Sequence, residues 1–258
     1  MERISSIIIT RNEEANIADC VRSVKNFSDE VLVVDSFSSD GTAAVCRKLG
    51  CRVLTRTFDD FIRQKNFGLS RARFDRVFFI DADERVPPAL AAKIAAMKKN
   101  GFTRDAYRIP RRNLYLGRRA WYGGWGSDWM YFLFDRRKCR YEGKGIHERL
   151  RTKGASLGRL GPYVLHTPYS DLSHHLIKID SYSRLFASAR AGRKRPFLVF
   201  DVMFRPVFKF IKSYIIQAAI FAGWRGLVFS VMASFSVFMK YARWLEKKEK
   251  EPAGRKRK

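Results

Sequence analysis

The stretch Arg76–Glu84 reads RVFFIDADE. Five residues suited to a strand buried on both faces run straight into two aspartates one residue apart. Working outward, the same change from apolar to polar recurs upstream. Ile4–Thr10 is a short β-branched run ending in Thr10-Arg11-Asn12-Glu13-Glu14, and Glu30–Asp35 (EVLVVD) ends in Asp35-Ser36. Arg52–Thr55 is a further strand. Between these runs, Asn16–Asn26, Thr42–Leu49 and Phe58–Ala72 carry helical spacing, the first through Ile17, Cys20, Val21 and Val24. Pro87 and Pro88 open a helix through Lys99, since proline is tolerated in a first turn. Alternating helices and near-continuous apolar strands predict an α/β fold, a mostly parallel sheet with helices on both faces.

From about Asp105 the pattern changes. Tyr107–Leu116, Arg118–Tyr122, Met130–Arg136 and Tyr163–His166 read as shorter strands with polar flanks, an added antiparallel portion or a loop-rich wall. Helix returns after Asp171. Two domains are therefore expected: a ligand-binding and catalytic domain over 1–170 and a helical extension over 171–258. The extension holds two apolar runs, Ser213–Trp224 and Gly226–Met239, each shorter than the roughly 18–20 residues that span a bilayer. Arg205, Lys209 and Lys212 fence them on one side, and Lys240, Arg243, Lys247 and Lys248 on the other. That arrangement predicts helices lying at a membrane surface. Packing into a core or a dimer, and one tilted span from Ser213 to Met239, are the competing readings.

The 258 residues carry 51 Lys and Arg against 25 Asp and Glu, a net charge of +26, which calls for anionic partners: nucleic acid, an acidic membrane surface or phosphate-bearing substrates. Nucleic acid is the weakest of these, because the cations are spread along the chain and no nucleic-acid motif is present. Cys20, Cys46, Cys51 and Cys139 show no paired spacing, which argues against a zinc site or a disulfide framework. Met1-Glu2-Arg3-Ile4 leads directly into a strand, with no secretory leader pattern.

In an open α/β sheet, ligands bind beyond the carboxyl ends of the strands. Three of those ends are acidic here. Crowded carboxylates repel unless a cation or a hydrogen-bonding ligand sits among them, and a hard cation such as Mg²⁺ or Mn²⁺ prefers carboxylate oxygens together with substrate phosphates. Asp81 and Asp83 are the foremost candidates, against the alternative of a capped turn leading into the Pro87 helix. Asp35 has a rival reading as a turn residue, and Asn12 and Glu13 as caps of the following helix.

Taken together, these segments resemble family 2 glycosyltransferases, inverting enzymes with the nucleotide-sugar-binding GT-A (Rossmann-like) fold. Ile7–Glu14, Val31–Gly41, Gln64-Lys65-Asn66 and Phe78–Glu84 carry the likeness. Tyr115-Leu116-Gly117, Gly123-Gly124-Trp125, Asp128-Trp129 and Ile146-His147-Glu148 are similar to one subgroup, the lipopolysaccharide core β-glucosyltransferases. The resemblance implies that Thr10, Asn12 and Asp35, with Glu13 beside them, face the nucleotide. It places Lys65 by the diphosphate, Asp81 on ribose or metal, and Asp83 on the Mg²⁺ or Mn²⁺ ion. An inverting transfer also needs a carboxylate to take the acceptor's proton. Asp128 is the first candidate, and Glu148, in a glycine-rich stretch, the second. His147 is read either as a metal or phosphate contact or as a structural histidine.

The subgroup has arginine where this chain has Phe132, so Arg136, Arg137 or another cation is expected to replace it. Trp121, Trp125 and Trp129 form either a sugar platform or core. The resemblance thus implies a divalent-metal-dependent transferase moving a hexose, with glucose and UDP as the default, from a nucleotide diphosphate sugar to a lipid-linked saccharide such as lipopolysaccharide core. It would work peripherally at the cytoplasmic face of the inner membrane. Another nucleotide-sugar or phosphosugar enzyme of the same fold is the alternative.

Overall fold

The computed structural model describes residues 2–126, 128–144, 147–192 and 196–250, and for Lys144 and His147 the backbone alone. Two compact units emerge, one from residues 2–112 and 128–167, the other from 113–126 and 168–250.

The first unit opens with β1 (Ile4–Thr10), α1 (Glu14–Lys25), β2 (Glu30–Asp35), α2 (Thr42–Lys48), β3 (Arg52–Thr55), α3 (Phe61–Arg71) and β4 (Arg76–Asp81). The two-residue β5 (Glu84–Arg85), α4 (Pro88–Asn100) and β6 (Ala106–Tyr115) follow. β7 (Arg118–Ala120) belongs to the second unit, and the chain returns with β8 (Asp128–Asp135), β9 (Arg140–Lys144), β10 (His147–Arg151), β11 (Leu157–Arg159) and β12 (Val164–His166). The strand order β3-β2-β1-β4 is parallel throughout, the doubly wound arrangement the sequence predicts. Ile4, Ile8, Val33, Phe78 and Ile80 feed one apolar layer, and Ile7, Leu32, Val34 and Phe79 the layer on the opposite face. Helices pack on both faces because the strands carry apolar residues on both sides of the sheet that need cover.

Beyond β4 the sheet turns antiparallel through β8 and β6, then continues through β12 to β5. β5 starts only three residues after β4 ends, yet it lies at the far end of the strand path. The sheet therefore curls back toward the end of β4.

Three sequence expectations change. The strand predicted over Met130–Arg136 begins two residues earlier, so Asp128 belongs to β8. The glycine-rich stretch around Glu148 is a hairpin, β9 against β10, with Glu148 opposite Gly143. Gly143, at φ 141°, takes its place in β9 with a backbone conformation that favours glycine. The apolar run from Ser213 is not a regular helix, as the second unit shows.

That unit contains α5 (Leu172–Ser188), α6 (Leu198–Ile211), a π-turn over Lys212–Ile216, a short 3₁₀ turn over Ala219–Ala222 and α7 (Trp224–Lys250). Breaks at Ala218 (φ 59°) and Gly223 (φ 60°) interrupt the backbone, so no continuous Ser213–Met239 helix exists. Among the described residues, no helix is long and apolar enough to cross a membrane. Tyr115, Tyr122, Trp125 and Phe229 form an aromatic core; Phe229 stands edge-on to Trp125 at 4.7 Å between ring centroids. A Cβ on Gly123 would fall 2.1 Å from the Phe229 ring, which is why that position is glycine.

Candidate active site

The parallel register sets three polar residues side by side at the carboxyl ends of adjacent strands. Thr10 is opposite Asp35, and Ile9, one residue earlier, is opposite Asp81. The hydroxyl Oγ1 of Thr10 and Oδ1 of Asp81 are both buried without a hydrogen-bond partner. Buried polar atoms are nearly always paired, so two orphans at neighbouring strand ends mark a place where a ligand completes the bonding.

The loops around this edge are tied together. Asp35 Oδ2 accepts from the Ser38 backbone N–H at 3.0 Å, and Oδ1 accepts from the Ser38 hydroxyl at 2.5 Å, so its carboxylate is committed to the turn. Asn12 adopts φ 53°, donates its backbone N–H to Ser38 Oγ and accepts from Ser39 N–H, both at 2.8 Å. Glu13 donates its backbone N–H to Thr42 Oγ1 at 2.9 Å. Neither side chain caps α1, which has no side-chain cap bond. Asn12 and Glu13 instead stitch the loop after β1 to the loop after β2.

Each residue of Gln64-Lys65-Asn66 has a separate task. Gln64 donates to Ser36 Oγ at 2.9 Å and accepts from Arg56 at 2.7 Å. Asn66 exchanges two bonds with the backbone of Tyr141, fixing β9 to α3. Lys65, only 7% exposed, points inward and is no surface charge. Its Nζ is 2.8 Å from Glu148 Oε1 and 4.0 Å from Asp81 Oδ1, above the rings of Phe79 and Tyr141. Burial works against the ammonium, but the charges of Asp81, Tyr141 and Glu148 outweigh it and hold its pKa above the ordinary lysine value.

Three further residues enter the site that motif reading passed over. Glu84, 2% exposed, accepts the backbone N–H of Asp81 at 2.9 Å. Burial and the charge of Asp81 push it up to about 7, against the opposing pull of His166 and Arg111. His166 pairs with Glu84 across β12 and β5, and its Nε2 is 3.6 Å from Asp83 Oδ1. Arg111 on β6 reaches Glu84 at 3.5 Å with one guanidinium nitrogen and Asp128 with the other. The curl of the sheet assembles this group, which is why the spacing of Glu84, Arg111 and His166 in the chain gives no sign of it.

Each candidate base thus has its own cation, Lys65 for Glu148 and Arg111 for Asp128. The side chain of His147 and all of Gly145 and Ile146 lie outside the described residues.

The profile of glycosyl transferase family 2 matches residues 5–153, more than half of the chain. The chain belongs to glycosyl transferase family 2. An uncharacterized glycosyltransferase of Rickettsia felis is 45% identical over 94 residues, 36% of this chain but only 33% of that relative. One from Rickettsia typhi is 28% identical over 95% of this chain and 88% of its own length. The lipopolysaccharide core biosynthesis glycosyltransferase LpsC of Rhizobium meliloti is 26% identical, covering 93% of this chain and 91% of itself. Among solved structures, S. aureus TarS 1–349 in complex with UDP-GlcNAc is similar at 12% identity with a TM-score of 0.48, covering 96% of this chain and 90% of that one. That score is too low to bear on function.

Within this family 2 chain, the residues present fit a divalent cation. Among the described residues no three His, Cys, Asp or Glu side chains converge as a closed metal cage. Mg²⁺ and Mn²⁺ do not need one, since they take one or two carboxylates and complete their shell with substrate phosphates and water. Asp81, with its orphaned oxygen, and Asp83, one residue on, are the carboxylates that would be available to it.

Phe132, where the subgroup is expected to have arginine, is buried in the core and stacked against Phe78. Neither expected substitute reaches the strand ends. Arg136 holds the Leu69 carbonyl and Asp75, and Arg137 chelates Asp135. Arg111 is the cation beside Asp128. Trp125 belongs to the aromatic core of its unit, while Trp121 and Trp129 are exposed and Trp129 lies under Arg159.

Proposed function

We propose that this chain is an inverting, metal-dependent hexosyltransferase that moves a sugar, glucose by default, from a nucleotide diphosphate donor, UDP by default, to a lipid-linked saccharide at the cytoplasmic face of a membrane. The observation that carries the proposal is the convergence of Asp81 and Lys65 on one strand edge beside the unpaired Thr10 hydroxyl. A buried ammonium next to a carboxylate with a free buried oxygen suits a diphosphate bound through a cation. Membership of family 2 supports the transferase chemistry, and the likeness to LpsC over most of both chains supports a lipopolysaccharide core acceptor.

Lys65 and the backbone around Asn12 and Ser38 bind and orient the donor. Asp81 and Asp83 would hold a divalent ion, which would supply positive charge to offset that of the departing diphosphate. Asp128 takes the proton of the acceptor hydroxyl as its oxygen bonds to the anomeric carbon and the bond to the diphosphate breaks on the opposite face. Arg111 fixes the Asp128 carboxylate, and Glu84 fixes Arg111. Glu148 is the less favoured base, because its cation, Lys65, also approaches Asp81 and so ties Glu148 to the donor side.

The test compares Asp128→Asn with Glu148→Gln in a transfer assay and a donor-binding assay. Asp128→Asn should lose about a hundredfold or more in turnover, the scale of a general base, with donor affinity unchanged. Glu148→Gln should act mainly on donor affinity. The reverse pattern would make Glu148 the base, and full activity in both variants would refute the mechanism.

A further inference from the structure

The largest unexplained feature lies in the helical unit. Seventeen exposed large apolar side chains fall between Phe197 and Phe238, more than in all the rest of the described chain. On α6, Val199, Phe200, Met203, Phe204, Val207 and Phe208 repeat at intervals of one and three, so they form one outward stripe. The opposite side is closed: Leu198 and Pro206 are buried, and the Pro206 carbonyl accepts from Ser234 of α7. The stripe continues through Ile215, Ile216 and Phe221, the last 79% exposed. Soluble monomers rarely expose a contiguous apolar area of this extent.

The charges around the stripe indicate what covers it. Lys209, Lys212 and Lys240 have no acidic partner among the described residues. Burial and Lys212 lower the pKa of Lys209, while burial, Lys209 and Arg190 lower that of Lys240, so these cations crowd one another. A second copy docked on the same face would add its own lysines to the cluster, between two molecules of net charge +26. Anionic headgroups would pair the lysines while the acyl region takes up the phenylalanines. No described helix can cross a membrane, so the arrangement suits lying in the interface.

We propose that the outward face of α6, continued by the turns after it, is a docking surface that inserts into one leaflet of an anionic bilayer. This deepens the reading of the acceptor as lipid-linked by assigning the surface that brings the enzyme to it.

The test is sedimentation of the full chain with phosphatidylcholine vesicles with and without phosphatidylglycerol, in the absence of donor and acceptor. Wild type should partition onto the anionic vesicles. Phe204→Glu combined with Phe208→Glu should weaken that partitioning by about tenfold or more. Both side chains are exposed, so the variant should keep the wild-type melting temperature. Lys209→Gln with Lys212→Gln should reduce the preference for phosphatidylglycerol. Failure of wild type to sediment, or unchanged binding by the double glutamate variant, overturns the proposal. So does a dimer, seen by light scattering, that the glutamates dissolve while vesicles are ignored; a second copy would then be the occupant. Because no turnover is read, either result leaves the transferase proposal to be judged by the Asp128 and Glu148 variants.

Discussion

Lys65 joins two carboxylates that do different work, Asp81 at the end of β4 and Glu148 on β10. Replacing it with methionine keeps most of the packing against Phe79 and Tyr141 but leaves two partly buried acids without their cation. Lys65→Met is therefore expected to lower stability by about 1–3 kcal/mol, less than for a fully buried pair because both acids retain some water. It should also weaken binding of a nucleotide diphosphate by at least about tenfold. Adding Glu148→Gln removes one stranded charge, so the double variant should regain stability in urea melts without regaining affinity. If affinity returns as well, Lys65 serves the fold alone. Asp83→Ala should abolish transfer and remove the metal-dependent part of nucleotide binding, as measured by titration with and without Mn²⁺. Turnover near wild type would take the metal role from Asp83.

Two elements carry buried titrating groups whose effects oppose each other. His175 on α5 is buried, its Nδ1 lies 3.2 Å from the Tyr115 hydroxyl and its ring stacks on Tyr169. Burial, with help from His174 and Lys178, lowers it to about 4. Below about pH 6.5 the unfolded chain binds a proton that the folded one refuses, so this group's contribution is lost as pH falls from 6.5 toward 4, on the order of 3 kcal/mol in all. Glu84 on β5 acts the other way. Raised to about 7, it holds a proton in the folded state over a range where the unfolded carboxyl has already released it, so stability falls as pH rises from 4.5 toward 7. Metal-free wild type should thus show a shallow profile across this window. Glu84→Gln should expose the His175 slope, with stability falling toward acid, and His175→Phe should expose the opposite one. Denaturant melts at pH 4.5 and 6.5 distinguish them, and like-signed slopes in the two variants would contradict the assignment.

The same elements show what the chain makes legible. Apolar runs meeting polar residues at Thr10, Asp35 and Asp81 are local patterns, and they locate the parallel strands and the edge at which those residues meet. The network of Glu84, Arg111 and His166 depends on the sheet curling until β5 meets β12, a long-range event that no local spacing encodes. Asp128 was visible as a residue, but its partner lies 17 positions earlier on a neighbouring strand. Arg136 and Arg137 are close to Phe132 in sequence, but they turn toward Asp75 and Asp135 and do not replace the expected arginine.

At the scale of the whole molecule, a net charge of +26 coexists with an acidic strand edge in the first unit and an apolar stripe in the second. On the proposed function, a positive field would draw phosphate-bearing donor and membrane alike, and its contribution would be screened by salt beyond about 10 Å at 0.1 M. Vesicle attachment should accordingly weaken with added salt but persist where the stripe is inserted. Complete release at moderate salt would mean that the phenylalanines stay in water. The central claim is the donor site itself. It is tested most directly by thermal shift of the purified chain with UDP, GDP, ADP and CMP, each with and without Mn²⁺ or Mg²⁺. Stabilisation by a nucleoside diphosphate only when the metal is present, and lost in Asp83→Ala, is the predicted result. A folded protein whose melting temperature responds to none of these pairs would contradict the account.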